Sequence, residues 1–152
     1  AVKNKELKVT APNKGDSFEI GKAKCEVMTD SILNKDNLNL SSIVIRLEFE
    51  NNSFLFMGDA ENAKEKTRTW MKTDVLKVGH HGSNTSSSED FLKQINPTYA
   101  VIMAGKNNSY GLPKQKILDR LAKIGAKVYR TDEEGTIMMI SNGNNIEVKE
   151  NT

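Results

Sequence analysis

The stretch Val75-Leu-Lys-Val-Gly-His-His-Gly82 constrains this chain more than any other, because a short apolar run passes straight into two imidazoles held between glycines. A run that is apolar on both faces belongs to a strand covered on both sides in a layered α/β fold. Glycine on either side lets backbone or ligand approach closely, and an imidazole pair offers nitrogen ligands to a metal or a proton to a substrate. His80 and His81 are the only histidines in 152 residues, so imidazole chemistry is confined to this place. Upstream, Ser53-Phe-Leu-Phe-Met-Gly-Asp59 repeats the device with a carboxylate.

The remaining chain supplies the layers such a strand needs. Residues 6–10, 17–20 and 23–29 read as short strands punctuated by Pro12, Gly15 and Gly21, and 30–41 as a long Asn- and Asp-rich surface loop. Residues 42–50 alternate apolar and polar side chains, 50–53 turn, and 54–57 are apolar on both faces, which predicts a hairpin at the core. A helix is expected over 61–71, a strand over 75–78, and a second helix opened by Ser87 or Ser88 as N-cap and stopped before Pro97. Then come a strand over 99–103, a polar loop over 105–111 and a helix from Pro113 to Ile124, ended by Gly125. Strands over 127–130, 136–141 and 145–149 follow, the last two joined by the hairpin signal Asn142-Gly143-Asn144. This order predicts a single α/β domain over 1–152 with a mixed sheet.

Lys and Arg (22) barely outnumber Asp and Glu (20) and are scattered, so the footprint of a dedicated nucleic-acid binder is absent. Cys25, the single cysteine, lies in an alternating apolar run and reads as a small core residue. No apolar run reaches the length of a membrane span, and no signal peptide is visible. The chain begins at Ala1, which leaves open what precedes it.

Asp59 has two readings. Its carboxylate could bridge two divalent ions, or it could cap the helix expected from residue 61. If the backbone at His80 and His81 is extended, their side chains alternate, so one faces the site and the other orients it or meets substrate. Ser83, Thr85 and Ser86 could hydrogen-bond an anionic substrate or serve the loop and a helix cap. Asn107, Asn108 and Tyr110 follow another strand and fall on the same expected sheet edge, where open α/β sheets bind ligands.

The ordered segments Ser42-Ile-Val-Ile-Arg-Leu, Phe54-Leu-Phe-Met-Gly-Asp-Ala60, Asp74-Val-Leu-Lys-Val-Gly-His-His-Gly-Ser83, Pro97-Thr-Tyr-Ala-Val-Ile102, Asn107-Asn-Ser-Tyr-Gly111 and Val128-Tyr-Arg-Thr-Asp132 resemble the C-terminal half of a metallo-β-lactamase-superfamily domain. The branch is that of the DNA-uptake competence channel protein ComEC and its free-standing relatives. The resemblance implies half of an αββα sandwich, with a mixed sheet flanked by helices. It further implies two divalent ions, Zn or Mn, in the intact parent, and hydrolysis of a phosphodiester or other phosphate ester, nucleic acid included, by a metal-bridging hydroxide. Asp59 matches the bridging aspartate and His81 a metal ligand, with His80 beside it in the catalytic set. Ser83, Thr85, Asn108 and Tyr110 would contact substrate.

The superfamily's His-x-His-x-Asp-His run belongs in the N-terminal half and does not occur here. Leu112 stands where the branch reads Tyr-Gly-His-Pro, and leucine binds no metal. The isolated chain is therefore expected to hold little or no metal and to be inactive. The alternative expectation is a non-catalytic interaction domain that kept the fold and lost its metals. Expected partners are the N-terminal half of the domain or a second copy, packed on an open sheet face running from Ile43, Ile45 and Leu47 through Leu55 and Val101 to Ile137 and Met139. Localisation would be extracytoplasmic or membrane-associated in a competence-type parent, and cytoplasmic otherwise.

Overall fold

The computed structural model describes residues 5, 11–30 and 35–149. The strand expected over 6–10 lies outside them. Seven strands form one sheet: β1 (Ser17–Ile20), β2 (Ala23–Val27), β3 (Ile45–Phe49), β4 (Asn52–Phe56), β5 (Val75–Lys77), β6 (Tyr99–Ile102) and β7 (Lys127–Arg130), neighbouring one another in chain order. β1 to β4 are antiparallel, and β4 to β7 are parallel. The change of direction at β4 matters for the site, because parallel strands bring all their carboxyl ends to one edge. β8 (Met138–Ser141) and β9 (Ile146–Lys149) make a separate hairpin.

The parallel strands need crossovers, and the crossovers are helical. α1 (Asn62–Glu65) lies between β4 and β5, α2 (Glu89–Ile95) between β5 and β6, and α3 (Gln115–Lys123) between β6 and β7. Ser88 caps α2 by accepting from the Phe91 N–H, and Asn96 closes it in the left-handed conformation just before Pro97. Phe91, Leu92 and Ile95 of α2 and Ile117 and Leu121 of α3 pack on Leu55, Leu76, Ala100 and Ile102 of the sheet, all at most 2% exposed. Burial of each such side chain contributes about 1.5–3 kcal/mol, which makes this helix-covered face the core.

Three expectations are corrected. The helix expected over 61–71 stops at Glu65. Uninterrupted, it would carry Trp70 about 7.5 Å along the axis from Glu65. Instead the Thr67 hydroxyl bonds the Lys64 carbonyl, the chain folds back, and the Trp70 indole N–H donates to the Glu65 carbonyl at 2.6 Å. That seats the indole edge-on to Phe91, with centroids 5.2 Å apart. Secondly, the helix expected from Pro113 starts at Gln115, because Lys114 is extended and Pro113 packs against Gly82. A short α4 (Thr131–Glu134), unforeseen, follows β7 directly.

The third correction concerns the opposite sheet face. Leu55 belongs to the helix side, in the core with Leu76. Its neighbours Phe54 and Phe56 line the other face, in register with Leu47 and Ile45 of β3. The β8–β9 hairpin docks there through Ile137 and Met139 and through the Ser141 hydroxyl, which donates to Asn52. Phe18, Ile20 and Phe56 on that face remain 42–60% exposed. The molecule is thus a mixed α/β half-sandwich: one helix layer, one sheet, and a partial second β layer.

Candidate metal centre

The site begins with the backbone. His80 (φ 47°, ψ 45°) and His81 (φ 54°, ψ 23°) are both left-handed, so the extended alternation expected of them does not apply. The tight turn is imposed by close packing: a Cβ on Gly79 would lie 2.9 Å from the Ala60 carbonyl oxygen, and one on Gly82 2.6 Å from Pro113 Cβ. The His80 N–H donates to the Gly58 carbonyl at 3.0 Å, which ties the end of β5 to the end of β4. Both imidazoles therefore stay on the same edge and meet two different carboxylates.

His81 Nδ1 lies 2.6 Å from the Met103 carbonyl oxygen. A carbonyl only accepts, so Nδ1 carries the proton, and in the neutral ring the Nε2 lone pair is free. That Nε2 is 3.4 Å from Asp59 Oδ1, and both side chains are 44% exposed. Two ligands on one tetrahedral ion with bonds of about 2.0–2.2 Å are separated by roughly 3.3–3.6 Å, so the pair is spaced as adjacent ligands. The Thr131 hydroxyl, bonded to both the N–H and the carbonyl of Ala104, holds the loop that presents the Met103 oxygen. Asp59 does not cap α1; Glu61 occupies that position, without a side-chain cap bond.

The second pair is more enclosed. His80 Nδ1 lies 3.4 Å from Glu61 Oε1 and 3.3 Å from Thr85 Oγ1. Glu61, whose side chain is 16% exposed, also accepts from the Thr85 hydroxyl (2.9 Å) and from the side-chain amides of Asn37 (2.9 Å) and Asn39 (3.2 Å). Burial works to raise the Glu61 pKa, but these hydrogen bonds and the adjacent His80 outweigh it and hold the carboxyl below its ordinary value. Lys77 donates to the Gly58 carbonyl at 2.9 Å. Burial depresses its pKa, and the Asp59 carboxylate opposes that shift.

The sequence-predicted residues thus fall into two groups. Ser83 and Thr85 gather with His80, their hydroxyls 3.1 Å apart, and the Thr85 hydroxyl donates to Glu61. Asn108 and Tyr110 lie with His81 around a cleft of about 220 Å³. The Asn108 amide is engaged within its loop: it donates to the Gly105 and Leu112 carbonyls and accepts from the Leu112 N–H. Ser86 is buried and donates to the Gly79 carbonyl at 2.8 Å, which supports the turn. Glu61 and Lys77 were not foreseen. The signal for Glu61 was its place two residues beyond Asp59, which parallels the adjacency of the two histidines.

Asp59 and His81 suit a Zn- or Mn-type ion in chemistry and spacing, and these two residues would hold it. Among the described residues no group of three His, Cys, Asp or Glu side chains converges on one point, so these two would supply only part of an ion's ligands. Among the described residues no helix is long and apolar enough to cross a membrane.

The chain is similar in sequence to known proteins. Over 141 residues, 90% of this chain, it is 36% identical to ComE operon protein 3 of Bacillus subtilis (strain 168). It is 41% identical over 65% of its length to Recombination protein 2 of Haemophilus influenzae (strain ATCC 51907 / DSM 11121 / KW20 / Rd), and 36% identical over 65% to Competence protein ComA of Neisseria gonorrhoeae. The matches occupy 18%, 13% and 15% of those proteins, so the chain spans under a fifth of the curated relatives. The family model described as "Metallo-beta-lactamase superfamily" matches residues 10–106, which include Asp59, both histidines and the strands that present them. With its mixed seven-stranded sheet and its carboxylate and imidazoles on one edge, this chain belongs to the metallo-β-lactamase superfamily.

Proposed function

We propose that this chain is the C-terminal part of a metal-dependent phosphoesterase domain in a competence-type protein, cleaving a phosphodiester or related phosphate ester. The observation that carries the reading is the Asp59–His81 pair: a 3.4 Å ligand spacing with the imidazole tautomer fixed by the Met103 carbonyl. In this reading the remaining ligands come from the His-x-His-x-Asp-His run of an N-terminal half, which also covers the exposed Phe18, Ile20 and Phe56. Bound divalent ions would activate water and neutralise charge on the phosphate. Asp59 and His81 would hold an ion, while Lys77 fixes the Gly58 turn next to Asp59 and Glu61 orients His80 toward the same edge. The names of the relatives, ComE operon protein 3 and Competence protein ComA, support a competence-related role for the parent, and in this reading the domain is extracytoplasmic or membrane-associated.

The test is metal content and turnover of a generic phosphodiester in the parent protein. Asp59→Ala and His81→Ala are each expected to lower both steeply, and Cys25→Ser to change neither. Wild-type turnover in Asp59→Ala would overturn the proposal. The isolated chain, with two converging ligands, is expected to retain no stoichiometric metal through dialysis and to be inactive. A second reading, a non-catalytic interaction domain, is favoured by Leu112 at the cleft beside His81; it predicts a parent that binds no metal and hydrolyses nothing.

A further inference from the structure

The cleft beside His81 is built unlike an anion site. Its walls are Ala104, Gly105, Tyr110 and Leu112, with His81 at one side and the Asn108 side chain behind. The Asn108 amide is committed to the Gly105 and Leu112 carbonyls and the Leu112 N–H, so it sets the wall and leaves little hydrogen-bonding capacity to offer a ligand. What remains is apolar surface together with the Tyr110 ring, which is 76% exposed although it borders a concave site. At about 220 Å³ the cleft is smaller than the roughly 300–1,000 Å³ that drug-sized ligands fill, which suits one ring system. Lys114 sets its ammonium 2.7 Å from the Tyr110 carbonyl oxygen, placing positive charge near this cleft. His81 belongs both to the cleft and to the pair with Asp59.

We infer that this cleft is a ring subsite: it seats the planar, apolar group of a phosphate ester, a nucleobase or an aryl group, with Tyr110 stacking on it and the phosphate lying toward Asp59 and His81. The inference rests on the reading of that edge as a phosphoesterase site. A planar π-face needs no fixed hydrogen-bond pattern, which suits a cleft whose amide is occupied, and the Lys114 charge complements the anionic ester. Leu112 supplies an apolar wall.

The experiment titrates the 152-residue chain, without metal, with phenyl phosphate, thymidine 5′-monophosphate and methyl phosphate, following backbone amide shifts by NMR. Both ring-bearing esters are expected to shift Ala104, Gly105 and Leu112, and methyl phosphate to leave them unmoved. Stacking on an aromatic side chain predicts that Tyr110→Ala weakens the ring-bearing esters by about 5- to 150-fold. Because Tyr110 is exposed, that variant keeps the fold. Gly105→Leu blocks the cleft: a Cβ there meets only Asn108 Cβ, at 3.9 Å, so the loop accepts it while ring binding is lost. Tighter binding of the nucleotide than of phenyl phosphate identifies a nucleobase subsite, and equal binding a general aryl subsite; either supports the inference. Equal shifts from methyl phosphate, or no effect of Tyr110→Ala, overturn it. The two readings fail separately: lost ring binding with turnover that still needs Asp59 removes only the subsite, and retained ring binding with Asp59-independent turnover removes only the phosphoesterase.

Discussion

Removing the Glu65 carboxylate tests whether the loop that frames the site is held from behind. Glu65 is 3% exposed, and its two oxygens accept the N–H groups of Ser87 and Ser88, where the chain leaves the His80–Thr85 turn for α2. In Glu65→Ala both donors lose their partner in a region where Ser87 is fully buried. Each orphaned group costs about 1–3 kcal/mol, so the expected loss for the two is about 2–6 kcal/mol from a total that for a domain is about 5–15 kcal/mol. Glu65→Gln keeps the volume and one acceptor, and is expected to cost about 1–3 kcal/mol. Urea unfolding followed by circular dichroism reads both; with a slope of about 1–3 kcal/mol/M, the Ala variant shifts the midpoint by one to several molar. Lys66→Ala, one residue on and exposed, is the control and should not move it. If Glu65→Ala cost under about 1 kcal/mol, or if Gln were as damaging as Ala, the two backbone bonds would not be what holds this loop.

Gly79→Ala places a methyl 2.9 Å from the Ala60 carbonyl oxygen and should destabilise by about 1–3 kcal/mol in the same assay, with the His80 and His81 imidazole resonances displaced. The Cys25 thiol, 2% exposed and with its pKa raised by burial, should resist alkylation by iodoacetamide at neutral pH until the protein is unfolded; rapid native-state labelling would contradict its place in the sheet. Glu61, whose folded pKa lies below its ordinary value, contributes stability that is present above the unfolded pKa of about 4.5 and is lost as pH falls through the folded value. Glu61→Gln should therefore flatten the acid limb of the stability profile, and an unchanged limb would refute the clamp made by Asn37, Asn39 and Thr85.

Local pattern alone determined the strands and the placement of the two chemical residues. The alternation through β3, the continuous apolar runs of β4 and β5, Ser88 as cap and Gly125 after α3 act within a few residues, so they are legible without a structure. The same holds for Asp59 and the histidine pair at strand ends, since a parallel sheet carries such positions to one edge. Tertiary packing decided the rest. α1 ends at Glu65 because Trp70 must reach the core and its indole N–H must find a carbonyl, a demand set by Phe91 on another helix. Both histidines adopt left-handed backbone because Ala60 and Pro113 crowd the flanking glycines, contacts that no local spacing announces. Glu61 escaped notice because its partners Asn37, Asn39 and Thr85 lie 22 to 24 residues away. The tautomer of His81 is likewise fixed by the Met103 carbonyl, 22 residues distant. Sequence spacing chose which groups reach the edge, and long-range packing chose which atom of each is left free to act.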